Sequence, residues 1–451
     1  MRMIDVLVVG GGASGLQASI TTKTTYPEKE VVLVRKEEQV LIPCGIPYIF
    51  GTLSDSSKDI LPDKLLTSVG VEIIVDELVQ ISVKEHQCRF ASGETMQYAK
   101  LILALGSVPT KPSWLKGVDL EYVYTIPKNK VYLDQMIASL ASLKKILVIG
   151  AGFIGVEVSD ELNKKGFEVT LLEIEKTILN KAFDDEFGNL AQEHLVQRGV
   201  TVITGKGVAE IKGRDGKVKE VVLTTGETLN CDAAILSMGY APNTKLAQEA
   251  GLELNEYGFI KTCEYMRVLP CTSDIVAVGD CAEKRDFVTR KIDRTMLAST
   301  ACAEARTAGM NLFSLSPCKP FTGTIAIYAT AIGEHAFGTA GITEAKAIQE
   351  NFSVVCGSFT GMDTHPGNLE HSHKQMVKLI TASDCGMILG SEVYGGASTG
   401  ELTNAIGFLI QNRVTVKQLL TMQIGTQPLL TGSPAGYPLI KAAEVVVKKL
   451  H

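Results

Sequence analysis

The chain has 451 residues, 45% of them apolar and 21% charged, with a net charge of −6. This length exceeds one ordinary core and predicts two or three domains, while the acidic balance argues against the basic surface of a nucleic-acid binder. No apolar run approaches the ~18 residues of a membrane span, so no membrane partner is expected.

The first element is a strand running into a glycine loop. "IDVLVVGGGASGLQASI" carries Gly10-x-Gly12-x-x-Gly15 ahead of a helical pattern. Gly10 permits a tight turn, Gly12 lets a pyrophosphate approach the backbone, and Gly15 lets helix and strand pack closely. The helix start favours the phosphate charge. The unit leaves no room for a signal peptide, so a cytoplasmic location is the expectation.

The next strand, "EVVLVRKEE", places Arg35 where a ribose-binding acid is expected. Two readings stay open there. Glu37 or Glu38 serves after a shortened loop, or the segment is a solvated charge cluster.

"LIPCGIPYIFG" (41–51) follows, with Cys44 between Pro43 and Pro47. For any one of the ten cysteines the plain reading is a small, reduced, buried residue. A C-x4-C disulfide is excluded, because Ile49 and Gln39 stand at that spacing. No second cysteine or histidine lies at ligand spacing, so no metal site is expected. The reactive reading rests on position: Gly45 and the apolar run after Pro47 predict a helix start whose dipole stabilises a Cys44 thiolate.

A second fingerprint lies in "KKILVIGAGFIGVEVSDELNKKGFEVTLLEIE", with Gly150-x-Gly152-x-x-Gly155. Its second strand ends at Glu173, about twenty residues on, where an acid binds ribose hydroxyls. That charge repels a 2′-phosphate, so NADH is expected and NADPH disfavoured. Two complete fingerprints predict two bound dinucleotides. Further on, "FTGTIAIYATAIGEHAFGTAGITEAKA" reads as strands followed by a helix.

Three more segments complete a pattern: "YAKLILALGSVPTKP", "CDAAILSMGYAPNTKL" and "TSDIVAVGDCAE", the last spanning Thr272 to Asp280. With the two glycine loops, they resemble the pyridine nucleotide-disulfide oxidoreductases across essentially the whole chain. "PCGIPY" is similar to the single-cysteine branch, which holds coenzyme A disulfide reductases, persulfide or polysulfide reductases, NADH oxidases and NADH peroxidases.

The resemblance implies an α/β fold with two Rossmann-like dinucleotide-binding domains and an α+β C-terminal dimerisation domain. The FAD domain would be 1–115 and 241–318, the NADH domain 116–240 and the dimerisation domain 319–451. It assigns Gly10, Gly12, Ala13, Gly15, Glu37, Pro43, Val79, Ala104, Gly106, Gly279, Asp280 and Ala298 to FAD, with Asp280 on the ribityl chain. It assigns Gly150, Gly152, Phe153, Ile154, Gly155, Glu157, Glu173 and Gly239 to NADH. Phe153 either covers the empty nicotinamide site or packs on the sheet.

The implied function is an FAD- and NADH-dependent reduction of a sulfur–sulfur bond through Cys44, in a homodimer with shared active sites. The alternatives are an NADH oxidase reducing oxygen, or an electron-transfer reductase for rubredoxin or a similar carrier. The first glycine loop lacks the His of peroxide-reducing relatives. Thr21 and Thr24 stand where coenzyme A users carry Arg, and only Lys23 is retained. Coenzyme A is therefore the weaker expectation, and a small sulfane-sulfur substrate the stronger. Gln427 occupies the place of the acid/base His of dihydrolipoyl dehydrogenases, and Gly432 replaces its orienting acid. His365, in "DTHPG", is the substitute acid/base or a loop histidine; both readings stay open.

Overall fold

The computed structural model describes residues 2–270, 274–315 and 320–450. It is built around three larger sheets. In the first, Arg2–Val9 lies between the parallel strands Val31–Arg35 and Thr95–Leu103, with Glu72–Val75 at one edge. Ile275–Ala277 returns from far along the chain to pair parallel with Thr95–Leu103. Val6, Leu7 and Val8 are fully buried, as are Val32, Leu33 and Val34. Such continuous apolar runs are what strands covered on both faces require.

The second sheet is all parallel, in the order Thr201–Ile203, Glu168–Leu172, Lys145–Ile149, Ala233–Leu236, Val123–Thr125. A small antiparallel sheet of Val208–Arg214, Lys217–Leu223 and Thr228–Asn230 lies beside it. Ser107–Pro109 pairs with Tyr240–Pro242 where the chain passes between the two sheets.

The third sheet is antiparallel: Tyr328–Ile332, His335–Gly341, Ile388–Gly395, Lys374–Ala382, Val354–Met362. Its strands alternate. Val377, Leu379 and Val393 join a core with the helices Thr399–Gln411 and Pro438–Leu450. The intervening Met376 and Tyr394 pack against the core of the second sheet instead. A period of two gives each strand two faces, so one sheet can serve two layers. Among the described residues no helix is long and apolar enough to cross a membrane.

Candidate active site

Both glycine loops sit between a buried strand and a helix, and each is shaped by its backbone. Gly10 and Gly150 have φ of +114° and +101°, the left-handed region that glycine enters without strain. A β-carbon on Gly15 would overlap the Gly10 carbonyl, and one on Gly155 the Gly150 carbonyl. Gly12 and Gly152, by contrast, have nothing within 4 Å of where a β-carbon would stand. Each is the N-cap of its helix, Ala13–Thr25 or Phe153–Lys164, with no side-chain cap bond and no acid in the first turn. Open backbone N–H groups beside open space fit a pyrophosphate.

Glu173 turns toward the second loop, accepting the Ala151 N–H at 2.6 Å and the Glu175 N–H at 3.0 Å. The first loop has no such acid. Arg35 is buried there beneath Gly11, paired with Asp63 and donating to the Glu38 carbonyl. Arg35 therefore closes the position structurally. Glu37 beside it is half-buried and Glu38 exposed.

Around the first loop, Ala104 backs onto Gly10, and Gly279 packs against Ser14. Ala298 opens the helix Ala298–Met310, which packs on Ala13–Thr25. Asp280 accepts from Lys128 at 2.6 Å and from Ser107 at 2.7 Å. Burial works to raise this carboxyl, but Lys128, Ser107 and Lys284 outweigh it and hold it below the usual range. Gly106 and Gly239, at φ of +70° and +90°, face open space where the two units meet. Pro43 is half-buried beside Cys44, Ile154 is half-buried in its helix, and Val79 is exposed on the strand Leu78–Ser82. Thr272 lies outside the described residues.

The expected helix after Cys44 is only the 3-10 turn Ile46–Phe50, capped by Gly45. That turn packs on Phe153–Lys164, where Glu161 accepts the backbone and hydroxyl of Thr52. It sets Cys44 beside the second unit while the chain remains part of the first. Cys44 is solvent-exposed, yet neighbouring atoms crowd it enough to act on its charge. Desolvation raises the thiol most, the charge of Glu157 raises it next, and Lys128 opposes both. This corrects the expectation of a helix-stabilised thiolate. A single 3-10 turn aligns few peptide dipoles, and carboxylates outnumber the nearby cations.

Glu157 is pushed up to about 7 by burial, although hydrogen bonds from Thr330 and Tyr48 oppose the shift. Thr330, from the third sheet, donates to Glu157 Oε1 at 2.7 Å. Phe153 stacks on Tyr328 at 4.8 Å and 8°, packed within the chain. His365 lies apart from this cluster. Its Nδ1 is 2.8 Å from the Thr431 carbonyl, and its backbone N–H bonds the Pro428 carbonyl. A carbonyl only accepts, so Nδ1 carries the hydrogen of that bond, and Nε2 is the nitrogen left to exchange a proton.

Sequence reasoning missed Lys128, Thr330, Tyr48 and Asp59. Lys128, Asp59 and Thr330 lie in segments that read as an ordinary strand, turn or solvated loop, and packing brings the first two to act on Cys44 and the third onto Glu157. Tyr48 stands beside Cys44 in sequence, but its bond to Glu157 is made by packing. Among the described residues no His, Cys, Asp and Glu cluster suits a metal.

The family described as pyridine nucleotide-disulphide oxidoreductase matches residues 4–305, and its dimerisation domain matches residues 327–435. An NADH oxidase of Methanocaldococcus jannaschii is 27% identical, over 98% of this chain and 99% of its own. An NAD(P)H coenzyme A polysulfide/persulfide reductase of Pyrococcus horikoshii is 26% identical, over 98% of both chains. Among solved structures, an NAD-dependent persulfide reductase from A. fulgidus superposes with a TM-score of 0.90 at 25% identity, covering 99% of this chain and 83% of that one. Reduced Bacillus anthracis CoADR-RHD gives a TM-score of 0.91 at 26% identity, covering 100% of this chain and 81% of that one.

Proposed function

This chain belongs to the pyridine nucleotide-disulphide oxidoreductase family, and we propose that it uses FAD and NADH to reduce a sulfur–sulfur bond through Cys44. The observation that carries this reading is one exposed, unpaired thiol beside a turn that packs on the helix opened by the second glycine loop. The polysulfide/persulfide and persulfide reductases among its relatives point the same way.

We assign FAD to 1–115 and 241–318, NADH to 116–240, and dimer contacts to 319–451. The residues around Gly12 and Asp280 would hold FAD, and those around Gly152 and Glu173 would hold NADH. Bound FAD supplies the carrier through which the reducing power of NADH reaches sulfur. Glu173 selects the nucleotide, since its carboxylate suits ribose hydroxyls and repels a 2′-phosphate. Cys44 sulfur bonds the near sulfur of the substrate while the substrate's own S–S bond breaks, and a thiolate or hydrosulfide leaves. The partner subunit's His365, with Nε2 free, is the candidate proton donor for that leaving sulfur.

A small persulfide or polysulfide suits the site better than coenzyme A. Lys23, the one basic residue retained on the first helix, is spent on the carbonyls of Pro27 and Lys29 at 2.8 and 2.7 Å. The test is anaerobic NADH turnover with polysulfide, coenzyme A disulfide, coenzyme A persulfide and peroxide, compared with aerobic turnover on oxygen. Polysulfide or a small persulfide should be fastest. Oxygen as the best acceptor would replace this reading with the oxidase one, which relatives named NADH oxidase favour.

A further inference from the structure

Lys284 and Glu304 form a buried ion pair that the reaction above does not use. Their side chains are 1% and 0% exposed, with Lys284 Nζ 3.7 Å from Glu304 Oε1. Glu304 comes from the helix Ala298–Met310, and Lys284 from the short strand Lys284–Arg285, which pairs with Ile292–Asp293. Both reach the 3-10 turn Gly279–Cys281. Glu304 Oε2 accepts the Gly279 N–H at 2.7 Å. Lys284 Nζ donates to the Gly279 carbonyl at 3.1 Å and to the Ala282 carbonyl at 2.8 Å. One pair of side chains thus holds both backbone groups of Gly279.

That glycine stands at a crowded point. Its φ is +78°, and a β-carbon there would lie 2.6 Å from Ser14 Oγ, at the start of the helix Ala13–Thr25. Asp280 follows directly. The bonds from Lys128 and Ser107 both fall on its Oδ2. A carboxylate has about four acceptor positions, so Asp280 retains capacity for a ligand hydroxyl. Fold stability does not by itself call for the pair behind it. Burying two charges is costly, and packed apolar side chains in their place are often neutral or stabilising. Glu304 Oε1 is moreover buried without a hydrogen-bond partner. What the two side chains do supply is an acceptor and a donor to the residue that aims Asp280.

Resting on the assignment of Asp280 to FAD, we propose that Lys284 and Glu304 form a backbone clamp that presets the Gly279–Asp280 turn for the cofactor. Both act through the turn, as positioning residues. The clamp seats the turn against the first glycine loop, so Asp280 is oriented before FAD arrives and less ordering opposes binding. No proton, electron or covalent bond changes hands.

The experiment compares FAD-loaded wild type with two double variants of the full chain. Lys284→Met with Glu304→Gln removes both charges and keeps a side-chain oxygen for the Gly279 N–H. Lys284→Met with Glu304→Leu removes the charges and that oxygen as well. FAD release after dilution is followed by the rise of free-flavin fluorescence, with circular dichroism as the check on folding. The first variant should release FAD at least about twofold faster than wild type, and the second at least about fivefold faster again. NAD⁺ affinity, which reads the second glycine loop, should be unchanged in both. Equal release from the two variants overturns the inference, and so does a parallel loss of NAD⁺ affinity, which marks general loosening. If the second variant does not fold, the first still decides, because release at the wild-type rate denies any hold by Lys284. Purified wild type without FAD would instead contradict the proposed function itself, whereas wild type that holds FAD beside variants that hold it equally well fails the clamp alone.

Discussion

Cys44, the proposed nucleophile, stands in a setting that raises its thiol rather than lowering it. Desolvation, Glu157 and Asp59 all oppose the thiolate, and Lys128 is the cation that answers them. Cys44→Ser should keep the yellow FAD spectrum and its bleaching by NADH, yet lose polysulfide turnover by at least about 100-fold. Unchanged turnover in that variant would move the chemistry away from this thiol. Lys128→Met should shift the alkaline limb of Cys44 alkylation upward, because the one nearby positive charge is removed. At the other site, Glu173 should give NADH at least about a tenfold advantage over NADPH in kcat/KM, equivalent to ~1.4 kcal/mol. Equal efficiencies would contradict its role against the 2′-phosphate.

Between elements, the helix Asp185–Gln197 meets the third sheet through two polar clusters. In one, the Tyr394 hydroxyl lies 3.0 Å from both His194 Nε2 and His335 Nδ1, and the two imidazoles stack at 3.8 Å. His373, bonded to Asp363, and Glu193 and Glu334 also face this group. Both stacked histidines lie below their ordinary value, through burial first and then a neighbouring imidazole. The folded junction therefore favours neutral rings. Its penalty is absent above pH ~6.5, grows as pH falls below that value, and is complete below the depressed values. The protection of amides in Asp185–Gln197 and His335–Gly341 against hydrogen exchange, relative to the intrinsic rate at each pH, should fall as pH is lowered from 7.5 to 5.5, and His335→Gln should flatten that dependence. In the other cluster, buried Lys378 meets Asp184, Glu186, Glu344 and Glu392. Glu392 is pushed up to about 8 by burial. Lys378→Met should cost ~3–5 kcal/mol in a denaturant titration, since it leaves buried carboxylates without their cation.

The whole molecule carries the family's dimerisation domain, and two large apolar side chains stand exposed within it. Leu429 and Leu430 are 67% and 71% exposed, on the loop stitched to His365 through Pro428 and Thr431. Exposed apolar residues on a loop tied to a candidate acid suit a site completed across a two-fold axis. Mixing Cys44→Ser chains with His365→Ala chains, each shown to be inactive alone, should restore activity. One of the two sites in each mixed dimer then draws intact parts from both chains. No recovery in verified mixed dimers would place each site within one chain.

What the sequence determined alone was whatever depends on short-range spacing. Gly10 and Gly15, and again Gly150 and Gly155, could be read because each answers a local steric demand, while Gly12 and Gly152 leave open space beside a helix start. Glu173 was legible for the same reason: strand length fixes its distance from the loop it faces. Arg35 showed the limit of this kind of reading. Its departure from the pattern was visible, but its partner Asp63, which holds the buried Arg35 in a structural ion pair from the surface, was not. The charge state of Cys44 belonged wholly to the tertiary structure. Glu157, Lys128, Cys302 and Asp59 come from four separate segments, and electrostatic coupling depends on distance in space and on burial. Neither leaves a periodicity in the chain. "PCGIP" marks where a reactive sulfur stands; the groups that set its proton were decided by packing.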